Sequence, residues 1–349
     1  MMQWLRVCGY AQAVSRAMKS VGLSPGVSWQ DKIEAVASAK TPKKVDAAFR
    51  HLVEDVALFG RKSATVAFVD VAVAKRLRTW AQGQKSPTWS LRLPTSTEMS
   101  LVGAVRQPGG VHSVVYRSLR ELRFKEDLDL GQALRVSVRQ GLLNPVRLIA
   151  VQEHTIAAYD VIDIHSDGRL VFRIADEFQQ YQSTRSKGEK TFPMLLRDAL
   201  EGDSLVDLSA AEFVDLLPAV RALYDAGGEG RVVEVNFTCG TGAVRSPTLR
   251  RGVQDLRTEV FQKAGIEAVG SIDPYGVAVA WAADEQSNLD AHASRKANGE
   301  PFREFELLVK KGRGLKTAPR AQIHKAWCAA EYNYALERLF AYLPVRGNG

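Results

Sequence analysis

The stretch Ile156 to Ile174, IAAYDVIDIHSDGRLVFRI, decides the fold class. Two apolar runs, 156–164 and 170–174, flank Asp167-Gly168. An Asp-Gly pair between such runs predicts a β-hairpin, since a two-residue turn needs positive φ at both central positions. Period-2 alternation puts Asp163 and His165 on one face of the first strand and Asp160 on the other.

Strands continue upstream of the hairpin. Leu134, Val136 and Val138 alternate with Arg135, Ser137 and Arg139, and Val146 to Val151 is a further apolar run. Downstream, Ser209 and Glu212 open a helix that stops at Gly227-Gly228. A strand at Arg231 to Phe237 leads through a glycine turn to a helix from Pro247 to about Ala264. Val277 to Ala282 is another strand, and residues 284–301 form a polar loop. Pro319 to Leu343 is the last helix, with Ile323, Trp327, Ala330, Tyr334 and Leu339 as its stripe.

The N-terminal quarter is helical by pattern. Trp4, Val7, Ala11, Val14, Met18 and Val21 recur at the 3/4 spacing of a packing helix. Ser28 and Asp31 form a capping-box start, and Thr41 with Pro42 opens a second helix that Gly60 ends. Residues 64–80 fit a helix through Val66, Val69, Val73, Leu77 and Trp80, although Val69, Val71 and Val73 also fit a strand. The polar stretch 83–97, with Pro87 and Pro94, marks a boundary. Strand runs and helical runs are not regularly interleaved, so the fold class is α+β: a basic helical region, 1–85, and an α+β body, 86–349, with a sub-boundary near 203–208.

Of the 349 residues 46% are hydrophobic and 25% charged, which excludes disordered, collagen-like and disulfide-scaffold classes. Cys8, Cys239 and Cys328 lie far apart without a CxxC, which fits a reducing compartment and the cytoplasm. The most apolar stretch, Ala64 to Ala74, is interrupted by Asp70 and is short of the ~20 residues a membrane helix needs. The charge is uneven. Residues 1–90 carry 14 Lys and Arg against 6 Asp and Glu, whereas the remaining 259 residues carry 33 of each. Such asymmetry points to a polyanionic partner.

Three segments offer binding chemistry. In residues 28–59, Ala35, Ala39 and Val45 have helix-turn-helix spacing, and Lys43, Lys44 and Arg50 would meet phosphates; a plain helical hairpin fits the same residues. In the second, FTCGTGAVRSP at 237–247, Gly240, Gly242, Arg245 and Arg250 would hold an anion at a strand-to-helix turn capped by Ser246. That segment is neither a Walker A loop nor GxGxxG, and a turn needing positive φ also explains it. The third is Lys310-Lys311-Gly312-Arg313-Gly314-Leu315-Lys316, a basic loop whose glycines would admit a nucleic-acid backbone. Its cations are expected to stay free of the nearest acids, Glu304 and Glu306.

Catalytic signals are poor. Asp163 and His165 are two ligands short of a metal site. Glu306 and Lys310 lack Glu-x-Lys nuclease spacing and are read as falling off a shared strand face. No G-x-S-x-G, HExxH or cofactor motif is present. The leading expectation is therefore a non-catalytic nucleic-acid-binding component (DNA or RNA) of a larger bacterial-type assembly, such as a defence or mobile-element system. A nucleotide or phosphate-ligand enzyme or sensor centred on Gly240, Gly242 and Arg245 is the alternative. A protein-interaction scaffold that docks other subunits through its aromatic C-terminal helix is the third reading.

Overall fold

Residues 156–174 fold as the hairpin that Asp167-Gly168 between two apolar runs predicts, with Ile164 paired to Leu170 and Val161 to Arg173. The turn differs from the two-residue form. His165 N–H donates to the Arg169 carbonyl at 2.9 Å across Ser166, Asp167 and Gly168. Gly168 alone of these has positive φ, +90°, as a three-residue hairpin loop requires. It also lets the Val69 carbonyl approach, because a Cβ here would lie 2.3 Å from that oxygen.

The computed structural model describes residues 2–7, 10–89, 98–127, 149–175, 191–249, 254–283, 289–290, 303–312 and 315–343. Four helices come first: α1 (Met2–Val7), α2 (Ala11–Ser20), α3 (Trp29–Ala37) and α4 (Pro42–Phe59). Then come β1 (Lys62–Phe68), α5 (Val71–Gln82), β2 (Ser100–Arg106), β3 (His112–Asp127), β4 (Ile149–Ile164) and β5 (Arg169–Ala175). α6 (Phe192–Ser204), β6 (Glu212–Phe213), α7 (Leu217–Asp225), β7 (Arg231–Cys239), β8 (Val244–Arg245) and α8 (Val260–Val269) follow. β9 (Ile272–Ala283), β10 (Leu289–Asp290), β11 (Arg303–Lys310), β12 (Ala321–His324) and α9 (Ala329–Ala341) complete the order. The strands form one antiparallel sheet, β2-β3-β4-β5-β1-β12-β11-β9-β7-β8, with β6 added to β1 and β10 to β9. Helices and an antiparallel sheet in separate runs make this an α+β fold. Among the described residues no helix is long and apolar enough to cross a membrane.

Long-range pairing overrides local pattern in several places. Residues 64–80 divide into β1 and α5, because 62–68 sits between β5 and β12 in the middle of the sheet and is buried on both faces. The region 1–85 thus contributes a central strand to the body. The helix expected from Ser209 begins only at Leu217, after Phe213 has paired with Ala67. No helix starts at Pro247: its carbonyl accepts from Val235 N–H, and Thr248 bridges to Glu234, so this segment runs along β7. Pro319–Leu343 divides into β12 and α9 for the same reason, since Ala321 to Ile323 bridge β1 and β11. α9 buries Tyr332, Leu336 and Leu339, while Tyr334 and Phe340 are half-buried. The expected strand at 134–138 and most of the polar loop at 284–301 lie outside the described residues.

The capping box forms as expected. Asp31 N–H donates to Ser28 Oγ at 3.1 Å and Ser28 N–H to the Asp31 carboxylate at 2.7 Å. The Ser28 amide and hydroxyl hold the Asp31 carboxyl below its usual range. Gly60 caps α4 at φ −57°, so it is required by space and not by handedness: a Cβ would sit 2.2 Å from the Tyr10 hydroxyl. α1, α2 and α4 share a small core of Leu5, Val14, Met18, Val45, Phe49 and Val56.

One sheet face is covered by α4, α7 and α9, which bury Val66, Val161, Val279 and Leu307. The other is covered at the β2 to β5 end by α5 and α6, over Ile162, Ile164 and Phe172. β4 places one carboxylate in each layer. Asp160 pairs with buried Arg120, and Asp163 takes Arg173 Nη2 at 2.5 Å and Ser113 Oγ at 2.6 Å. Arg173 also donates to the Leu58 carbonyl at 2.7 Å, between the Phe59 and Tyr332 rings. Breaking such a pair strands a charge in the core and costs about 3–5 kcal/mol. Arg173→Met is expected to lower stability by that amount in urea titration. Adding Asp163→Leu should recover most of the loss.

Asp55, on α4, lies within the field of Arg16 and Glu331. Burial, then the Glu54 carboxylate, pushes its carboxyl up to about 6 from 3.8. A carboxyl with raised folded pKa binds its proton better folded than unfolded, so stability falls as pH rises from about 4 to 6. Asp55→Asn should therefore stabilise the protein by about 1–3 kcal/mol at pH about 7.5, and not at about pH 3.5, in thermal melts.

Candidate nucleic-acid interface

β11 reads as a strand with one wet face. Phe305, Leu307 and Val309 are buried, whereas Glu304, Glu306, Leu308 and Lys310 turn to the opposite side. Glu306 and Lys310 therefore share a face, contrary to the spacing argument, because four residues is two full strand periods. Register extends this face across four strands. Gln322, Leu308, Ala278 and Glu234 form one row; His324, Glu306, Ala280 and Arg231 form the next. A third row is Lys310, Gly276 and Asn236.

Small residues on β9 let longer neighbours lie across it. At Gly276 a Cβ would meet Lys310 Cγ at 2.9 Å and Asn236 Nδ2 at 3.1 Å. Lys310 Nζ crosses there to donate to Asn236 Oδ1 at 2.8 Å, with Glu234 at 3.8 Å. Lys310 is thus tethered, not free, and its partners come from β7 instead of from Glu304 or Glu306. Those two acids have other cations: Arg231 grips Glu304 at 2.7 Å and Lys325 reaches Glu306 at 2.5 Å.

Two grooves open on this face and share Leu308. The first, about 870 Å³, runs between the sheet and α2. Its Arg231, Lys325 and Arg61 are matched by Glu234, Glu304 and Glu306. The second, about 1360 Å³, is a trough of different character: Lys310, Lys311, Lys316 and Arg320 line it, with Asp215 as the acid among its described lining residues. Asp215 is already committed, since its Oδ1 accepts from Leu217 N–H at 3.0 Å and Ala318 N–H at 2.8 Å.

The loop after β11 sets the trough's rim. Gly312 N–H donates to the Thr317 carbonyl at 3.0 Å and Leu315 N–H to the Gly312 carbonyl at 2.9 Å. This closed turn holds Lys311 and Lys316 on one edge. Leu315 packs on Gly312, where a Cβ would meet Leu315 Cδ1 at 2.5 Å. Among the described residues no carboxylate pairs with Lys311 or Lys316. Arg313 and Gly314 lie outside the described residues.

The other two segments do not join this site. Lys43, Lys44 and Arg50 are exposed on α4 and line neither groove, and Arg50 pairs with Asp46 at 2.7 Å. The Gly-Thr-Gly segment is a hairpin turn between β7 and β8, not a helix entry. Cys239 N–H donates to the Ala243 carbonyl and Gly242 N–H to the Cys239 carbonyl, both at 2.8 Å, so these amides serve the turn. Ser246 caps no helix; its hydroxyl donates to Asn236. Gly240 and Arg245 are exposed, and Arg250 is outside the described residues. Asp163 is spent on Arg173, and burial holds the His165 imidazole below its ordinary pKa, at the edge of the Phe340 ring.

Sequence reasoning found the lysines of the trough and missed Phe213 and Tyr275 on its wall. Neither carries a local signal, because separate strands deliver them. Comparison of the chain with protein-family models, curated proteins and solved structures returns no match. Gly242 has φ +79° with open space where a Cβ would stand. Gly242→Ala is expected to cost about 1 kcal/mol through backbone strain alone, and Arg245→Ala almost nothing, in thermal melts.

Proposed function

We propose that the protein binds nucleic acid along the trough formed by Lys310, Lys311, Lys316 and Arg320. One observation carries this: Lys310, Lys311, Lys316 and Arg320 line one trough, and among the described residues no carboxylate pairs with Lys311 or Lys316. Cations along a groove release counterions when they meet a phosphate chain, which supplies affinity without base contacts. Membership of a larger assembly is the second part of the reading. Val260 and Phe261, 81% and 86% exposed at the start of α8, support it as apolar side chains awaiting a protein neighbour.

Anisotropy titration of the full-length protein with labelled oligonucleotides tests the binding. Affinity should fall with a log–log salt slope of about −2 to −3, corresponding to three or four phosphates. Lys311→Gln with Lys316→Gln should weaken binding on the order of tenfold at moderate salt and make the slope shallower by about 1.5, at unchanged melting temperature. Absence of binding at low salt removes this reading.

A further inference from the structure

Phe213 is out of place for a packing residue. It is 38% exposed on the two-residue strand β6, where it lines the basic trough. Its backbone is pinned by pairing with Ala67, and the Val214 amide donates to the Val66 carbonyl at 2.9 Å. Its ring leans on Phe172, centroids 5.6 Å apart and planes at 45°, which supports it from one side. Ser63, Thr65 and Gln322 line the same trough, and Leu315, 48% exposed, lies beside Lys316 in the chain.

A propped aromatic ring inside a groove of cations matches the needs of an unpaired strand. Phosphates follow the positive groove while a base turns inward and stacks, an interaction open to every base. A duplex keeps its bases stacked inside and is read by a helix or ribbon that protrudes into a groove. The trough is recessed. Resting on the nucleic-acid reading above, we infer that it takes a single strand, with a base stacked on Phe213.

The test compares a labelled single-stranded 12-mer with its blunt duplex on the full-length protein. The single strand should bind at least tenfold more tightly at moderate salt. Phe213→Leu keeps an apolar contact with Phe172 while removing the aromatic face. It should weaken single-strand binding by about tenfold with an unchanged salt slope, and Phe213→Tyr should restore it. Circular dichroism melts of both variants verify folding. Equal or tighter duplex binding, or a folded Phe213→Leu that binds the single strand as the parent does, overturns the inference and leaves the nucleic-acid reading standing. Binding of neither oligonucleotide overturns both.

Discussion

The guanidinium of Arg173 is the constraint around which the molecule is arranged. It lies 1% exposed beneath α9, and a buried charge is tolerable only with its hydrogen-bonding partners in place. Its contacts come from four separate segments: hydrogen bonds to Asp163 on β4, Ser113 on β3 and the Leu58 carbonyl at the end of α4, and cation–π contacts with the rings of Phe59 and, on α9, Tyr332. Desolvation makes a partial set costly, so β3, β4, β5, α4 and α9 must settle together. Lys62, 2% exposed, repeats the arrangement nearby by donating to the Tyr159 carbonyl at 2.6 Å. Charge here specifies which helix end meets which strand, a task that apolar contacts perform with less discrimination.

The open end of the sheet uses charge in a different way. Its two grooves contain similar residue types, yet their cations are paired to different extents. In the first, the fork of Arg231 fits Glu304 and leaves little field for a ligand. In the trough, the carboxylate of Asp215 serves two backbone amides, and Lys311 and Lys316 sit on a turn that brings no acid with it. Pairing, more than the number of cations, sets the field a groove presents to solvent.

What was legible in the chain follows the range of the deciding interaction. The Asp167-Gly168 hairpin and the Ser28 capping box depend on residues within a few positions, and both formed. Residues 64–80 and 319–343 carry helical spacing along part of their length, but each contains a short strand whose partners lie more than 100 residues away on at least one side. The Pro247 segment shows the same conflict: Ser-Pro looks like a helix entry, whereas the exposed flank of β7 claims it. At the site, clustering of Lys310, Lys311 and Lys316 was visible because one loop holds them. The tether of Lys310 to Asn236 and the presence of Phe213 were not, since register across β7, β9 and β11 and the addition of β6 create them.

The position of β1 has a consequence for synthesis. β1 occupies residues 62–68, but its neighbours are residues 169–175 on one side and 321–324 on the other. A chain emerging from the ribosome presents this apolar strand long before its second neighbour exists, with its unpaired amides and carbonyls exposed. Closing the sheet requires contacts spanning more than 250 residues, a topology that folds slowly. The early helices α1, α2 and α4, whose small core is complete within residues 1–59, stand directly before β1 in the order of synthesis. These helices and β1 are therefore synthesised together, whereas the strands that flank β1 follow later.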